Sequence, residues 1–276
     1  TAEQQPHFSL FILYITIGLM DHFVNLGIEL KLFHGEDELA VAYWYRDFLL
    51  SSLLSQVSTM RRAKLAAKQL AMAKAETSAR QQKSKKKGGK HKKSNTNGNS
   101  QVQPPCAEDL EYEFEFLLLN LERTLCRGLV RFLAAIKQAG FVKSRAYEFT
   151  SEARVFEKRF EAFSPIQQPP PLQYGDYVQG SDFSKVAQHD LLNSTSECFQ
   201  ASKTFVDKLL AQVPSLDADY LPIRKEELAK LAKVCIGNSV YLQKLKQKVG
   251  SPDSGDPKIE MDLETQNWFC TIKINQ

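Results

Sequence analysis

The sequence contains few of the residues from which disulfide frameworks and metal sites are built. Its five cysteines are scattered, odd in number and without metal-ligand spacing. The five histidines likewise include no pair at metal-ligand spacing, and none has a carboxylate at a spacing that would indicate a catalytic or metal-binding partner. A chain of 276 residues can bury a core without disulfide bonds. We therefore expect free, mostly buried thiols in a reducing compartment, and neither a metal site nor a disulfide framework.

Sequence motifs of catalysis are also missing. No G-x-S-x-G, P-loop or G-x-G-x-x-G motif occurs. The alternating acids of "EDLEYEFEF" are better explained by a helix start with solvated Glu side chains than by a general-acid pair. His22, in an apolar segment, is expected to be a satisfied core histidine rather than a ligand. We therefore do not expect an enzyme, and we assign no catalytic, cofactor-binding or metal-binding residue.

Long hydrophobic runs are limited to one segment, Phe8 to Met20. This run lasts 13 residues before Asp21 and His22, whereas a membrane span needs about 20. It has neither the basic n-region nor the small-residue cleavage site of a signal peptide. Apolar residues remain dense as far as Leu32, which predicts a helix that is covered on most sides by protein and has no membrane contact. Because the chain enters this segment almost at once, we expect it to be part of a longer polypeptide.

The excess of positive charge is confined to one segment. Residues 61–93 contain 13 of the 36 Lys and Arg residues and a single acid, Glu76, which gives a net charge of +12. The rest of the chain has 23 basic and 31 acidic residues and a net charge of −8. This basic arm has three interpretations: a solvated loop, a nuclear import signal, or a contact with a nucleic-acid backbone. No aromatic residue lies within it, so stacking on single-stranded bases is not supported.

The candidate nucleic-acid contacts are basic residues at the two ends of this arm. They are Arg61, Arg62, Lys83, Lys85, Lys86, Lys87, Lys90, Lys92 and Lys93. Contact with phosphates depends on charge and needs no particular geometry, so we expect such binding to have no sequence preference.

Most of the chain has helical periodicity, and we predict a mainly α, multi-helix scaffold with long helices. Residues 1–82 are predicted to form the apolar helix and a second helix that becomes basic, running from Asp37 to Gln82 over about 70 Å. Residues 83–105, rich in Lys, Asn and Pro, are predicted to be a disordered insertion. Residues 106–257 are predicted to be helical around a proline-rich extended stretch at 164–178.

Helix boundaries follow from glycine and proline. Gly35 is predicted to end the first helix, and Gly140 to end a third helix over residues 108–138. A clean apolar stripe predicts a further helix from about Gln188 to Pro214. Two shorter helices are predicted over residues 222–235 and 240–249, the first with Pro222 at its N-terminus.

The periodicity changes to two in residues 258–276, which predicts a short C-terminal β-hairpin with its turn at 264–267. An isolated hairpin is marginally stable, so this one needs another sheet or a groove. Its edge is predicted to pair with a sheet in a partner. The alternative is that Trp268 simply covers the last helices. The candidate partner-binding residues are Trp268, Phe269, Ile272 and Ile274.

Four passages, in their order and spacing, resemble one protein family. "NLGIELKLF" and "AYWYRDFLLSSLLS" resemble two helices that the family joins by a Glu-Leu corner, with its Tyr-Trp-Tyr at residues 43–45. "FEKRFEAFSPIQQPPPLQYGDY" is similar to its Phe-Arg segment and triple proline at 169–171. "SKTFVDKLLAQVP" and "FCTIKI" resemble its last helix and strand. The family is the large auxiliary, non-catalytic subunit of the N-terminal acetyltransferase complex NatC, and the resemblance is to its C-terminal part.

The resemblance implies a helical scaffold that wraps a small catalytic subunit, in a cytoplasmic complex with a small Sm-like third subunit. It also implies cotranslational acetylation of nascent chains that begin with Met followed by a hydrophobic or similar residue. The acetyl-CoA loop Q/R-x-x-G-x-G/A does not occur in this sequence, so acetyl-CoA is expected on the catalytic subunit. For such a complex, the basic arm becomes a candidate anchor to ribosomal RNA. The alternative function is a helical adaptor that binds RNA non-specifically through this arm.

Overall fold

The computed structural model describes residues 5–85, 107–142, 151–215, 221–249, 258–262 and 268–275. Within these ranges the fold is mainly α, as the sequence predicts, with one two-stranded sheet. The helices are α1 Gln5–Glu29, α2 Gly35–Lys85, α3 Ala107–Gln138, α4 Glu152–Phe160, α5 Tyr174–Gly180, α6 Gln188–Gln212 and α7 Leu221–Val249. The strands are β1 Lys258–Asp262 and β2 Thr271–Asn275, and 3-10 turns at Glu161–Phe163 and Val213–Ser215 follow α4 and α6.

The first helix ends earlier than the sequence suggests. Lys31 takes the left-handed conformation, with φ 55°. Its main-chain nitrogen donates to the carbonyl of Ile28, and that of Leu32 donates to the carbonyl of Gly27, which closes the helix with a Schellman motif. Gly35 also has positive φ, but it is the first residue of α2. The prediction that Gly35 ends the first helix is therefore wrong, because these hydrogen bonds end it first.

α2 is a helix of 51 residues, about 77 Å long at 1.5 Å per residue. Its first turn contains the three acids of residues 36–38, which favour a helix N-terminus. Side chains of residues 61–74 are mostly exposed, so this part of the helix leaves the packed body. The predicted long helix is confirmed, and it extends as far as Lys85. The rest of the predicted insertion, residues 86–105, lies outside the described residues.

The centre of the core lies where α3 packs against α2 and α6. The buried face of α3 is fully apolar and has helical spacing: Leu121, Leu125, Leu129, Phe132 and Ile136 are all completely buried. Each contributes roughly 1.5–3 kcal/mol through burial. The helix ends at Gly140, with φ 77°, as predicted. Four cysteines, Cys126, Cys198, Cys235 and Cys270, are free and buried in the described part of the chain, whereas Cys106 lies outside it.

α7 is one continuous helix of 29 residues, so the prediction of two shorter helices is wrong. Gly237 and Asn238, where the break was expected, instead contact β2. The Asn238 side chain donates to the carbonyl of Cys270 at 2.9 Å and accepts from the nitrogen of Ile272 at 2.9 Å. A Cβ at Gly237 would lie 3.0 Å from a methyl carbon of Thr271, so glycine permits the close approach. These long-range contacts favour the helix despite its poor helix formers.

Two short helices lie in the region before α6. The hydroxyl of Ser151 accepts from the nitrogen of Arg154 at 3.3 Å and caps α4, which the sequence analysis did not predict. A capping box between Gln173 and Asp176 begins α5. The predicted extended stretch at 164–178 is therefore wrong beyond Gln173, because local capping starts a helix after the prolines.

The C-terminal hairpin forms as predicted. β1 and β2 pair antiparallel, with Ile259 opposite Ile274 and Met261 opposite Ile272. Ile272 and Ile274 are almost fully buried, and β2 packs on α7. The bundle thus provides the groove that a two-stranded sheet needs. The predicted turn at 264–267 lies outside the described residues.

Candidate interaction surfaces

α1 has two apolar faces. The described residues cover one of them and contact the other at Phe23, whose ring centroid lies 5.5 Å from that of Phe163. The covered face packs toward α2 and contains Ile17, Met20, Val24 and Ile28, each at most 2% exposed. The other face, called the α1 stripe below, has side chains between 41% and 67% exposed. It consists of Phe8, Phe11, Ile12, Ile15, Leu19, Phe23 and Leu26 of α1, and of Leu30, the first residue after the helix. The prediction of a helix covered on most sides is therefore not met within the described residues.

Part of α1 also meets the length and composition of a membrane span. In the part of the chain that the structure describes, one helix is long and apolar enough to span a membrane, from Phe8 to Glu29. Of its most apolar 18 residues, 39% are buried in protein. Its covered face contacts α2, a helix rich in charged residues. A bilayer around α1 would have to accommodate that neighbour too, which is costly.

A buried ion-pair network fixes α1 against α2 and α3. Arg46 of α2 is completely buried. Its Nε donates to Asp21 of α1 at 3.0 Å, and its Nη2 donates to Glu122 of α3 at 3.1 Å. Burial alone would lower the pKa of Arg46, but the two carboxylates raise it above its ordinary value. The guanidinium therefore stays charged and joins three helices.

Sequence reasoning missed this network, although a signal was present. The helix was predicted to continue through Asp21, but the pairing of its carboxylate with Arg46 was not predicted. Arg46 and its neighbour Asp47 are the charged residues inside the otherwise apolar and aromatic passage "AYWYRDFLL". Opposite charges within apolar stretches of two consecutive helices indicate a buried pair, since a buried charge needs a partner.

Tyr43, one turn before Arg46 on α2, holds the C-terminal segment. Its hydroxyl donates to the carbonyl of Trp268 at 3.1 Å and accepts from the nitrogen of Cys270 at 2.9 Å. Its ring stacks on Phe269, with centroids 6.0 Å apart and an interplanar angle of 3°. The Arg46 guanidinium carbon lies 4.8 Å from the centroid of the same Phe269 ring. Burial raises the pKa of Tyr43, so the hydroxyl keeps the proton that it donates.

The structure places most of the candidate partner-binding side chains inside this chain. Phe269, Ile272 and Ile274 are at most 2% exposed and contribute to its own core. Trp268 is half-buried, and its ring meets the edge of His22, with centroids 6.4 Å apart. His22 is exposed, so the prediction of a core histidine is wrong, because this position lies at the edge of the α1 stripe.

The main-chain edges of the hairpin differ in their surroundings. The outward nitrogen of Ile272 on β2 is bonded to Asn238 of α7, so α7 covers that edge. In an antiparallel pair, a residue whose main-chain groups point outward lies opposite a residue whose groups also point outward. Met261 lies opposite Ile272, and Ile259 lies opposite Ile274, so the main-chain groups of Met261 and Ile259 point away from β2. Among the described residues no third strand pairs with this outer edge of β1. The edge is the part of the hairpin that remains for pairing with a partner.

The basic arm begins where α2 leaves the packed body. Arg61 and Arg62 are exposed, and the Nε of Arg62 donates to the carbonyl of Ser58 at 3.3 Å. Lys83 and Lys85 lie in the last turn of α2. The other candidate lysines of the arm lie outside the described residues.

A cavity of about 310 Å³ lies between the first turn of α2, the end of α3, α4 and α5. Val41, Leu133 and Phe156 line its interior. Its rim carries two ion pairs, Lys137 with Asp37 at 2.8 Å and Arg159 with Glu38 at 2.9 Å. No group of three or more His, Cys, Asp or Glu residues arranged to hold a metal ion occurs in the described part of the chain.

Comparison with known proteins places this arrangement of helices in a family. The family model described as NAA35-like, TPR repeats, matches residues 1–272. The chain is 24% identical over 275 residues to the NatC auxiliary subunit homolog N-alpha-acetyltransferase 35 of Drosophila melanogaster. It is 24% identical over 269 residues to the NatC auxiliary subunit of Rattus norvegicus and 23% identical to that of Homo sapiens. The matches cover 99% and 96% of this chain but 32% of each relative, so the chain spans about a third of their length.

The same fold occurs in solved structures. A chain in the crystal structure of the NatC complex bound to Arl3 peptide and CoA matches with a TM-score of 0.73 and 18% identity, over 100% of this chain and 42% of that one. A chain of the apo NatC complex matches with a TM-score of 0.68 and 16% identity, over 99% and 43%. Since the family model covers nearly every residue, from 1 to 272, the chain belongs to the NAA35-like family of TPR-repeat proteins.

Proposed function

We propose that this chain is part of the non-catalytic auxiliary subunit of a NatC-type N-terminal acetyltransferase complex. The observation that carries the proposal is the family match over residues 1–272. Relatives that match almost the whole chain are named NatC auxiliary subunits, and a chain of the same fold belongs to a solved NatC complex.

In this role the chain is a scaffold. Long helices α2 and α3 are joined to α1 by the buried Arg46 network, which gives a firm base for binding other subunits. Catalysis and acetyl-CoA binding belong to a separate small catalytic subunit, and a small Sm-like protein is the third subunit. The absence of the acetyl-CoA loop motif from the sequence supports this division of labour.

The complex acts in the cytoplasm on nascent chains that begin with Met followed by a hydrophobic or similar residue. A cotranslational enzyme must remain near the ribosome, whose surface is largely phosphate. The exposed Arg61 and Arg62, together with the lysines of residues 83–93, provide the positive charge for such an anchor. The chain has no role in a membrane in this proposal.

The hairpin provides a second contact. The outer edge of β1 pairs with a strand of a partner subunit, and main-chain hydrogen bonds supply the affinity. Trp268, Phe269, Ile272 and Ile274, which were predicted to bind a partner, would then act indirectly. They hold β2 on the body, and β2 in turn holds the main chain of β1 in place. Burial of Phe269 against Tyr43 and Arg46, together with the two hydrogen bonds of the Tyr43 hydroxyl, holds the hairpin on the body.

A pull-down of the tagged full-length protein from ribosome-depleted cytosol tests the function. The bound material should transfer acetyl groups from acetyl-CoA to a Met-Leu peptide, while the purified protein alone should not. A Met-Leu peptide with a blocked amino terminus is the matched control. Absence of activity and of a small partner, with RNA retained at low salt, would instead support the adaptor that binds RNA through its +12 segment.

A further inference from the structure

We infer that the α1 stripe is the docking surface of another helix, supplied by the remaining part of the same full-length polypeptide. α1 is then an internal helix of a longer helical array. This inference depends on family membership and on the geometry of α1, and it does not depend on acetyltransferase activity.

The spacing of the stripe fits a helix as its partner. From Phe8, successive steps of four, three, four, four, three and four residues lead along one face. They reach Ile12, Ile15, Leu19, Phe23, Leu26 and Leu30. Steps of three and four residues, averaging about 3.7 here, keep these side chains on one face of a helix, and a second helix can pack along such a face. At 1.5 Å per residue this seam is about 33 Å long, enough for six turns of a partner helix.

The chemistry of the stripe indicates a permanent contact. α1 carries two carboxylates: Asp21 is buried against Arg46, and Glu29 is the last residue of the helix. The stripe itself therefore has no charge with which to steer a transient partner. Seven exposed large apolar side chains on one helix, with Leu30 directly after it, exceed what a solvated surface ordinarily presents. Apolar interfaces of this kind are typical of obligate contacts.

Repeat architecture indicates where the partner helix comes from. In repeat proteins each unit packs on a neighbour at both sides, and a terminal unit has a polar outer face. α1 is apolar on both faces, with Ile17 and Val24 each 1% exposed on one side and Leu19 and Phe23 64% and 50% exposed on the other. It therefore has the pattern of an internal unit. This chain spans 32% of its relatives, so about two thirds of a full-length protein is available to supply the neighbour.

Cysteine labelling in the full-length auxiliary protein, purified without other subunits, tests the inference. Leu19→Cys probes the stripe, and Leu70→Cys on the exposed part of α2 is the control, since these positions are 64% and 56% exposed here. A polar maleimide, quantified by mass spectrometry of the two peptides, should react with the Leu19→Cys thiol at least about tenfold more slowly, because reaction requires local opening. The two rates should become equal in denaturant.

Each other outcome overturns the inference. Equal native rates would mean that the stripe is open to solvent. Protection that appears only after addition of the catalytic subunit would assign the stripe to that subunit, and protection only with phosphatidylcholine vesicles would assign it to a bilayer. A photo-crosslinker at Leu19 gives a second measurement that needs no rate. It should join a peptide of the same polypeptide beyond the present 276 residues, whereas crosslinks only within these residues, or to another subunit, would contradict it.

Discussion

The hydroxyl of Tyr43 accepts a 2.9 Å hydrogen bond from the main-chain nitrogen of Cys270, a residue 227 positions later in the chain. The same hydroxyl donates to the carbonyl of Trp268, where the backbone takes the left-handed conformation with φ 56°. One buried side chain thus pairs two main-chain groups at the entry to β2. Because buried polar groups need partners, this pairing determines where the hairpin sits on the bundle.

Replacing Tyr43 with Phe should loosen the hairpin without disturbing the helices. The change leaves the Cys270 nitrogen and the Trp268 carbonyl without the hydroxyl. The buried Cys270 nitrogen alone costs about 1–3 kcal/mol when it is left unpaired. Hydrogen exchange should become faster in residues 268–275 and stay unchanged in α3. Tyr241→Phe is the matched control, since the ring of Tyr241 contacts Lys244 on the surface of α7. Unchanged exchange in β2 would show that packing alone holds the hairpin.

Arg46→Met should be among the most destabilising single changes in the described core. It removes the guanidinium that neutralises the mostly buried carboxylates of Asp21 and Glu122, which costs about 3–5 kcal/mol. Adding Asp21→Asn should recover part of this loss, because it removes one of the stranded charges. Urea unfolding of Arg46→Met, Asp21→Asn and the double variant measures the three changes in the free energy of unfolding. Lys137→Met, which removes a partly exposed pair with Asp37, should change the free energy of unfolding by about 0–1 kcal/mol.

Strict additivity of the Arg46 and Asp21 changes would contradict a coupled network. A Lys137→Met effect as large as that of Arg46→Met would contradict the argument from burial, since the Arg46 side chain is 0% exposed and that of Lys137 is 46% exposed.

The helices could be predicted from the sequence because periodicity is a local property. The apolar stripes of α3 and α6, and the alternation of β1 and β2, record which face of each element is buried. The continuity of α7 could not be predicted, because Gly237 and Asn238 are poor helix formers in isolation. Their place in the helix depends on Thr271, Cys270 and Ile272, which follow them by more than thirty residues.

The candidate surfaces were predicted only in part, for a similar reason. The sequence indicates that α1 is apolar all round and that the arm of α2 is basic. It does not indicate which face of α1 packs on α2, since that choice depends on the pairing of Asp21 with Arg46. The burial of Phe269 was also missed, because the alternation of residues 268–275 shows two faces without showing what covers each.

Gly128→Ala tests the close packing of α3 on α6. A Cβ at this position would lie 2.9 Å from Cε1 of Phe199 and 3.2 Å from Cβ of Cys198. Phe199 is completely buried, so its ring has no room to move. Overpacking should lower the free energy of unfolding by about 1–3 kcal/mol. Gly175→Ala in α5, where a Cβ meets nothing within 4 Å, is the control and should be neutral or slightly stabilising. Equal effects of the two changes would show that α3 and α6 can separate at little cost.

Neutralising the basic arm should flatten the salt dependence of ribosome binding. The variant changes seven lysines to Gln, namely Lys83, Lys85, Lys86, Lys87, Lys90, Lys92 and Lys93. Each phosphate contact contributes roughly 0.7–0.9 to the slope of log K against log salt, so loss of several contacts is measurable by cosedimentation at graded salt. The control neutralises the exposed Lys203, Lys225 and Lys233 on α6 and α7. An unchanged slope in the seven-lysine variant would rule out the anchor.

Ile259→Pro tests whether the outer edge of β1 binds a partner strand. The main-chain nitrogen of Ile259 points away from β2, so proline removes an outward donor without breaking a hydrogen bond of the hairpin. The full-length variant should keep its fold but release a subunit in the pull-down. The main-chain nitrogen of Glu260 faces β2. Glu260→Pro should therefore disrupt the hairpin itself, and it serves as the positive control. If Ile259→Pro retains every subunit and Glu260→Pro releases one, the hairpin contributes through its position on the bundle rather than through its edge.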